Sequence, residues 1–336
     1  MKKIAVAMVG IVLAGPVFAA PDWSKVTVTK IPVFYPGQSG LEWILNKEFH
    51  TGARQILDKK RPCIKCHDND AVGIGNDIVA GKPVGKLHRP LDGAVPKDKP
   101  GFIPVSVQAA HDGDNIYLRF EWDEPKRGGG DMSMDPQNEI KLTVMFEDNK
   151  VDLADRGGCW ATCHEDLRGM PGASAAAREH PMAKALGWSE GVTKYLRESR
   201  TGQELNGKPH GGWDKLKPEA DIEAVFKEGR FMDLIQFSSG GGGKAVDGYV
   251  LDSRHMGGGK SLIKAEGNKE GKRWTVVFER TLAAAGTGDH SIAAGRLYNI
   301  GFAIHDDHAA GRFHHVSLGY TLGLDNTGAD FNAVKQ

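Results

Sequence analysis

The sequence lacks several features that define large functional classes. Its 43 basic and 43 acidic residues leave no net charge that would attract nucleic acid or an anionic lipid surface. It contains no P-loop, no dinucleotide-binding fingerprint, no serine or cysteine nucleophile motif and no internal repeat. After residue 20 it has no apolar run long enough to span a bilayer. These absences indicate an ordinary globular chain, with room for one large or two modest domains in 336 residues.

The first twenty residues, MKKIAVAMVGIVLAGPVFAA, have the composition of a secretory signal peptide. Two lysines precede an apolar run, and small residues follow it. Cleavage after Ala19 would put Val17 and Ala19 at the small-residue positions. We therefore predict a signal peptide over residues 1–19 and a periplasmic mature protein without a membrane anchor. A retained N-terminal anchor is the alternative interpretation.

Cysteine is also scarce, and the four cysteines form two close pairs that are each followed at once by histidine. The first pair is CIKCH at 63–67, which matches the attachment motif for c-type haem. Two thiols one helical turn apart can meet the two vinyl groups of one porphyrin, and the adjacent histidine can reach its iron. The second pair, CWATCH at 159–164, has one residue more between its cysteines. Positions i,i+3 and i,i+4 share a helix face, so this spacing also keeps both sulfurs on one side.

Disulfides and zinc sites are the alternatives for four cysteines in an exported chain. Neither explains why a histidine follows the second cysteine in both pairs of a chain with 13 histidines. The sequence therefore predicts two covalently bound haem c groups. The thioether bonds would be formed by Cys63, Cys66, Cys159 and Cys163, and the proximal iron ligands would be His67 and His164.

The pattern of the chain changes near residue 100. Residues 20–100 are typical of a small, mostly helical or irregular haem c segment that ends in a connector rich in proline and lysine. Alternating runs around HDGDN then indicate a β-hairpin. The further strand candidates, separated by glycine-rich loops, are EIKLTVMFED, DGYVLD, RWTVVFER, LYNIGFAIHD and HHVSLGYTLG.

The predicted fold is mainly β with helical additions. An antiparallel β-sandwich haem-binding domain would occupy residues 101–336. The second haem motif, CWATCH, would lie in an insertion between two strands of this domain. Helices are expected in that insertion at about residues 173–198 and 218–229.

Several of these stretches resemble a known family of haem proteins. VSVQAAHDGDNIYLRFEW, GGCWATCHEDLRGMP, RWTVVFERTL and GFAIHDDHAAGRFHHVSLGYTLG are similar to the haem-binding domain of the ethylbenzene dehydrogenase and dimethylsulfide dehydrogenase gamma subunits. They resemble still more closely the exported dihaem cytochromes c with a cytochrome c-552/DMSO-reductase-like haem-binding domain. HTGAR followed by CIKCH also looks like those dihaem proteins.

This chain departs from the gamma subunits in its ligand residues. In them a non-covalent haem lies between a methionine and a lysine and takes electrons from a molybdenum catalytic subunit. Here CWATCH falls near the segment that carries the methionine, and histidines occupy the late strand that carries the lysine. The resemblance therefore implies a covalent haem with a histidine ligand.

The distal ligand of the first haem is expected to be His50 in FHTGAR. It lies thirteen residues before Cys63, so a helix and a turn could fold it back over the opposite porphyrin face. His88 in GKLHRP is the second candidate, and a methionine is the third.

The distal ligand of the second haem is expected to be His314. The resemblance puts the ligand lysine of the gamma subunits at this position, two residues before Val316. Side chains alternate along a strand, so His314 and His315 should point to opposite faces. The remaining candidates are His308 and His305 on the preceding loop, and Met170, which follows His164 too closely to cross the porphyrin.

The predicted function is single-electron transport between periplasmic redox partner proteins, without enzymatic activity. A molybdenum oxidoreductase and another cytochrome are the partner classes that the resemblance suggests. The alternative is a haem enzyme, peroxidase-like or a small-oxyanion reductase, with one open iron and acid/base groups from FAIHDDHAAGRFHH. A haem-based sensor or a structural subunit of a larger enzyme is a third class.

Overall fold

A computed structural model describes about two thirds of the chain. The described residues are 21–37, 43–44, 50–83, 98–125, 140–162, 195–200, 204–205, 208–209, 216–306 and 314–336. The predicted signal peptide and five of the candidate residues lie outside them, namely His88, Cys163, His164, Met170 and His308. No helix among the described residues is long and apolar enough to cross a membrane.

Three short helices surround the first Cys-His motif. They are α1, Ala53–Lys59; α2, Ile64–His67, which lies within CIKCH; and α3, Ala71–Val79. Lys60 follows α1 in the left-handed conformation, with φ 51°, and its amide donates to the carbonyl of Gln55. This C-cap ends α1 and directs the chain into CIKCH.

One sheet of 13 strands forms the body of the described chain, and a separate pair of two-residue strands lies apart from it. The strands in chain order are β1 Thr29–Phe34, β2 Phe102–His111, β3 Asn115–Asp123, β4 Lys141–Glu147, β5 Glu204–Leu205, β6 Lys208–Pro209, β7 Met232–Ser238, β8 Lys244–Val250, β9 Arg254–Met256, β10 Ile263–Glu270, β11 Arg273–Thr281, β12 Tyr298–His305, β13 His315–Val316, β14 Tyr320–Leu324 and β15 Phe331–Lys335. The isolated pair is β5–β6.

The large sheet folds over on itself. Eleven of its strands follow the order β10-β11-β3-β2-β1-β13-β12-β4-β7-β8-β9, and the other two lie off this path, with β14 paired to β12 and β15, and β15 also to β2. β10 at one end packs against β7 and β8 near the other end. Phe120 of β3 meets Phe302 of β12 with ring centroids 5.0 Å apart, so the two layers are in contact across the core. Nearly all strand pairs are antiparallel; β14–β15 and β15–β2 are parallel. The prediction of a mainly β, sandwich-like fold with helical additions is confirmed.

The predicted hairpin and strands occur where the alternation indicated them. β2 and β3 are joined at HDGDN, where Asp112 Oδ1 accepts hydrogen bonds from the amides of Asp114 and Asn115. RWTVVFER forms β11, in which Trp274, Val276 and Phe278 are buried. HHVSLGYTLG divides into β13 and β14 instead of forming one continuous strand.

The N-terminal segment contributes β1 to the large sheet. β1 pairs along its whole length with β2, and its last residue, Phe34, pairs with Val316 of β13. The haem c segment and the sandwich therefore share one sheet, and the proposed domain boundary near residue 100 stays a prediction.

A long excursion separates β4 from β7 and contains the second Cys-His motif. Its described parts include α4, Ala154–Gly157, a 3₁₀ helix at Gly158–Ala161 and α5, Glu219–Lys227. The helix expected at about residues 218–229 corresponds to α5. The helix expected at about residues 173–198 lies almost wholly outside the described residues.

Candidate haem-binding sites

The helix α2 positions both thiols of the first motif. Cys63 is the N-cap of α2, and its carbonyl accepts hydrogen bonds from the amides of Cys66 and His67 at 3.0 Å each. Cys63 is buried and Cys66 is exposed, and neither forms a disulfide. Burial raises the pKa of the Cys63 thiol to about 12, which makes it a poor redox thiol at neutral pH. Two thiols separated by one helical turn and followed by histidine fit the attachment of a porphyrin.

His50 and His67 lie together at this site, as expected from the sequence. Their ring centroids are 6.0 Å apart, and their planes are inclined by 29°. A metal–imidazole bond of about 2 Å puts two opposite ligand nitrogens about 4 Å apart and their ring centroids about 6 Å apart. The observed separation therefore matches the space for one metal atom between the two rings.

The second nitrogen of each imidazole has a hydrogen-bond partner. His50 Nδ1 is 3.0 Å from the carbonyl oxygen of Trp43, and His67 Nδ1 is 2.8 Å from Asp70 Oδ1. An Nδ1–H that donates in this way fixes the tautomer and presents Nε2 to a metal. Burial lowers the pKa of His50, although its hydrogen bond to Trp43 opposes this shift. The ring is therefore held in the neutral form that a metal requires.

Gly52 keeps space open at His50. A Cβ atom at position 52 would lie 2.7 Å from His50 Nε2, closer than van der Waals contact allows. The glycine of HTGAR is therefore required for the present position of the ligand nitrogen. The alternative ligand His88 lies outside the described residues.

The second motif begins at a close contact between two backbone segments. Gly158, with φ +60°, precedes Cys159, and a Cβ atom at Gly158 would lie 2.8 Å from the Cα of Gly319. Ala161 is buried in an apolar cluster that also contains Ala303, Val316 and Leu318. The start of CWATCH is thus packed on β12 and on the connection between β13 and β14.

His305 and His314 extend this same face of the sheet. His305 lies two residues after Ala303, which pairs with Val316, so alternation along β12 puts it on the side that packs against Ala161. His314, just before β13, stacks on His305. Their ring centroids are 4.4 Å apart, and their planes are inclined by 13°. Burial, with the proximity of His314, lowers the pKa of His305 well below its usual value.

His315 has a different environment from His314. It is fully buried, its Nε2 is 2.9 Å from the carbonyl oxygen of Pro100, and its Nδ1 is 3.3 Å from Asp306 Oδ1. Lys99 Nζ is 3.0 Å from the same carboxylate oxygen. Burial alone would raise the pKa of Asp306, but His315 and Lys99 together lower it. Both ring nitrogens of His315 therefore face polar partners inside the protein.

The two motifs are adjacent in space. The amide of Cys63 donates a hydrogen bond of 2.8 Å to the carbonyl of Arg156, and Arg156 Nη1 donates to the carbonyl of Ile56 at 3.2 Å. Cys63 and Ala161 belong to one apolar cluster. The described part of CWATCH therefore lies beside the first site, while Cys163 and His164 lie outside the described residues.

Sequence reasoning missed three residues that support these sites. Asp70, three residues after His67 in CHDND, could have been found from the i,i+3 spacing. Trp43 holds His50 through its backbone carbonyl, and Arg156 accepts a hydrogen bond from the amide of the distant Cys63. No sequence pattern indicates either contact.

Thiols one helical turn apart, followed by a histidine that faces a second histidine, define the site of a cytochrome c. The comparisons agree with this class. A family model described as Ethylbenzene dehydrogenase matches residues 20–317, and the chain belongs to this family. It is thus an electron-carrying cytochrome c, related to that family, with covalently bound haem c.

Two relatives are similar over nearly their whole lengths. The chain is 42% identical over 344 residues to Cytochrome c-552 of Stutzerimonas stutzeri, covering 100% of both chains. It is 32% identical over 317 residues to Cytochrome c-551 of Rhodocyclus tenuis, covering 94% of this chain and 100% of the relative. A carbohydrate binding module family 9 from Caldicellulosiruptor kristjanssonii aligns with 72% of this chain and 81% of its own, but at 9% identity and a TM-score of 0.29 it does not bear on the site.

Proposed function

We propose that this cytochrome c carries two covalent haems and moves single electrons between redox partner proteins in the periplasm, without catalysing a reaction of its own. The observation that supports the proposal best is the separation of 6.0 Å between the rings of His50 and His67. An iron that is ligated on both faces has no open position for a substrate. It suits a carrier whose iron alternates between two oxidation states.

The first haem would be attached to Cys63 and Cys66, with His67 and His50 as its axial ligands. The role of the chain is then to hold both imidazoles and to keep water from the metal. The hydrogen bonds at the Nδ1 atoms of the two rings orient them, and Trp43 packs edge-on against His50 with ring centroids 5.4 Å apart.

The second haem would be attached to Cys159 and Cys163, with His164 as its proximal ligand and His314 as its distal ligand. His314 lies on the face of the sheet that packs against the start of CWATCH. The neighbouring His315 is held by the carbonyl of Pro100, so ligating an iron through its Nε2 would break that hydrogen bond.

Electrons would pass between the two haems within one chain. The backbone contact between Cys63 and Arg156, together with the apolar cluster that Cys63 shares with Ala161, supports this by placing the starts of the two motifs side by side. Cys66 is exposed where Cys63 is buried, so the porphyrin edge at Cys66 would be the one that a partner approaches. A partner is expected to be another cytochrome or a molybdenum oxidoreductase, and the predicted signal peptide supports the periplasmic location.

The alternative function, a haem enzyme with one open iron, has one observation in its favour. His305 lies beside His314, so one imidazole could ligate the iron while the other served as an acid/base group.

The spectrum of the ferric protein separates the two functions. Two six-coordinate low-spin haems that do not bind cyanide are expected for the carrier. A high-spin haem that binds cyanide in the unmodified protein would contradict the carrier and support the enzyme.

A further inference from the structure

Three buried aspartates from distant parts of the chain meet away from the haem motifs. Asp233 lies on β7, Asp247 on β8 and Asp289 in the loop before β12, and one carboxylate oxygen of each lies within 4.8 Å of the other two. Their exposed fractions are only 0%, 8% and 7%, respectively. Since Ile235 pairs with Asp247, Asp233 and Asp247 are diagonal neighbours on one face of the sheet.

Several acceptors of this cluster lack a well-formed hydrogen bond within the described part of the chain. Asp233 Oδ2 accepts hydrogen bonds from Arg280 Nη2 at 2.6 Å and from the amide of His290 at 2.7 Å. Asp233 Oδ1 and both carboxylate oxygens of Asp247 are buried without such a bond from any described residue, although the Ser261 amide lies near enough to Asp247 to oppose the rise in its pKa that burial causes. Native proteins rarely leave three such atoms unsatisfied. Arg280, whose Nε and Nη1 are also buried without acceptors among the described residues, pairs only with Asp233 Oδ2, so the cluster lacks a second positively charged partner there.

The charge of the cluster indicates what that partner is. When ionised, the three carboxylates contribute −3 and Arg280 contributes +1, which leaves −2 in a buried region. A divalent cation would balance this charge and would complete the ligation of the unsatisfied oxygens.

The burial of the three carboxylates favours calcium over the more strongly hydrated magnesium. Calcium binds oxygen at about 2.3–2.6 Å, so oxygens on opposite sides of the ion can be about 5 Å apart, whereas magnesium needs shorter bonds and retains several waters. The segment at residues 259–261 closes over the cluster. A Cβ atom at Gly259 would lie 2.4 Å from Asp247 Oδ1, and the amide of Lys260 donates to Asp289.

We propose that Asp233, Asp247 and Asp289 bind one divalent cation, preferably Ca²⁺, at a structural site separate from both haems. The ion would join β7, β8 and the loop at Asp289. It would thereby stabilise β7, the strand at which the excursion with CWATCH ends.

The test uses the purified holo-cytochrome. The protein is treated with EGTA, dialysed and divided among buffers with no divalent cation, with CaCl2 or with MgCl2. Inductively coupled plasma mass spectrometry measures bound metal, and circular dichroism measures the melting temperature. One calcium per chain is expected after CaCl2, with a saturable rise of several degrees in melting temperature and a smaller rise with MgCl2.

Two variants test the assignment of the ligands. Asp247→Asn should lose both the bound calcium and the shift in melting temperature. Glu266→Gln, which removes an exposed carboxylate on β10, should retain both. If Asp247→Asn does not fold, the stripped and reloaded wild-type protein decides the question by itself.

A metal-free explanation gives the opposite results. If the carboxylates are protonated or bind only water, the wild-type protein will contain no calcium after CaCl2 and will melt at one temperature in all three buffers. Asp247→Asn will then be as stable as the wild type or more stable. The absence of bound calcium, or a melting temperature that does not respond to CaCl2, would overturn the proposal.

Discussion

The backbone amide of Cys63 donates a hydrogen bond of 2.8 Å to the carbonyl of Arg156, three residues before Cys159. Two motifs that are far apart in the sequence thereby start from neighbouring points in space. The contact needs no side chain of the attachment motif, so the thiols and imidazoles remain available. A substitution at a ligand of one haem should therefore leave the spectrum of the other haem unchanged. The first three predictions use this independence.

Replacing His50 by Ala should make the first haem high-spin and able to bind cyanide, because one axial imidazole is lost. The second haem should keep its low-spin spectrum. Electronic absorption and electron paramagnetic resonance of the ferric protein measure both signals. His88→Ala is the comparison: if that variant becomes high-spin and His50→Ala does not, the assignment of the ligand is wrong.

Replacing Asp70 by Asn should raise the midpoint potential of the first haem. The carboxylate accepts from His67 Nδ1, which makes the imidazole a stronger donor and stabilises ferric iron. A net contribution of about 1 kcal/mol, as for a typical hydrogen bond, corresponds to about 40 mV for one electron. Because both side chains are partly exposed, screening should reduce the shift to about 20–40 mV.

Spectroelectrochemical titration measures this shift, and Asp68→Asn is the matched control. Asp68 is an exposed carboxylate on the same turn, so its removal changes the local charge equally. Equal shifts in the two variants would mean that the hydrogen bond to His67 has no role of its own.

Replacing His314 by Ala should open the second iron to cyanide and leave the first haem unchanged. His315→Ala should leave both spectra low-spin but lower the free energy of unfolding by at least about 2 kcal/mol, since it creates a cavity and removes a partner of Asp306. Cyanide titration and urea denaturation measure the two effects. If only His315→Ala opens the iron to cyanide, the ligand is His315 and the assignment of His314 is wrong by one residue.

Replacing Gly158 by Ala should lower the free energy of unfolding by about 2 kcal/mol or more. Part of the cost is the positive φ, and the rest is the collision with Gly319. Gly271→Ala is the control, because Gly271 also has a positive φ, of 61°, but would meet no atom within 4 Å. Urea midpoints compare the two variants; equal losses would show that the contact with Gly319 contributes nothing.

Without calcium, the stability of the protein should depend on pH through the aspartate cluster. Burial, with the neighbouring charge of Asp289, raises the pKa of Asp247 to about 7, and burial raises that of Asp233 to about 7 against the opposing charge of Arg280. The folded state then binds more protons than the unfolded state between about pH 4 and pH 7, so stability should fall as the pH rises through this range.

Urea midpoints of the EGTA-treated protein across this range measure the effect. Other groups titrate as well, so the quantity to compare is the difference between wild type and Asp247→Asn. Saturating CaCl2 should instead make the wild type more stable than Asp247→Asn, because only the wild type binds the ion. A difference that is independent of pH without calcium would contradict the raised pKa values.

The sequence predicted those parts of the fold and site that depend on nearby residues. RWTVVFER alternates because one face of β11 is buried, and the pairing of His50 with His67 follows from their short separation. β7, MDLIQFS, was missed because every one of its residues is buried, so no alternation marks it.

Contacts between distant residues leave no such local pattern. Asp306 meets Lys99 and His315 only in the folded chain, and the same holds for the three aspartates of the proposed cation site. The contact of Arg156 with Cys63 likewise depends on a backbone carbonyl, which any residue would supply.

The most direct test of the central claim is the mass of the purified protein under denaturing conditions. Two haems attached through Cys63, Cys66, Cys159 and Cys163 predict the mass of the chain without residues 1–19 plus two haem masses. The haem should also stay with the polypeptide in acid acetone. A mass with one haem, or the release of haem into the solvent, would contradict the account.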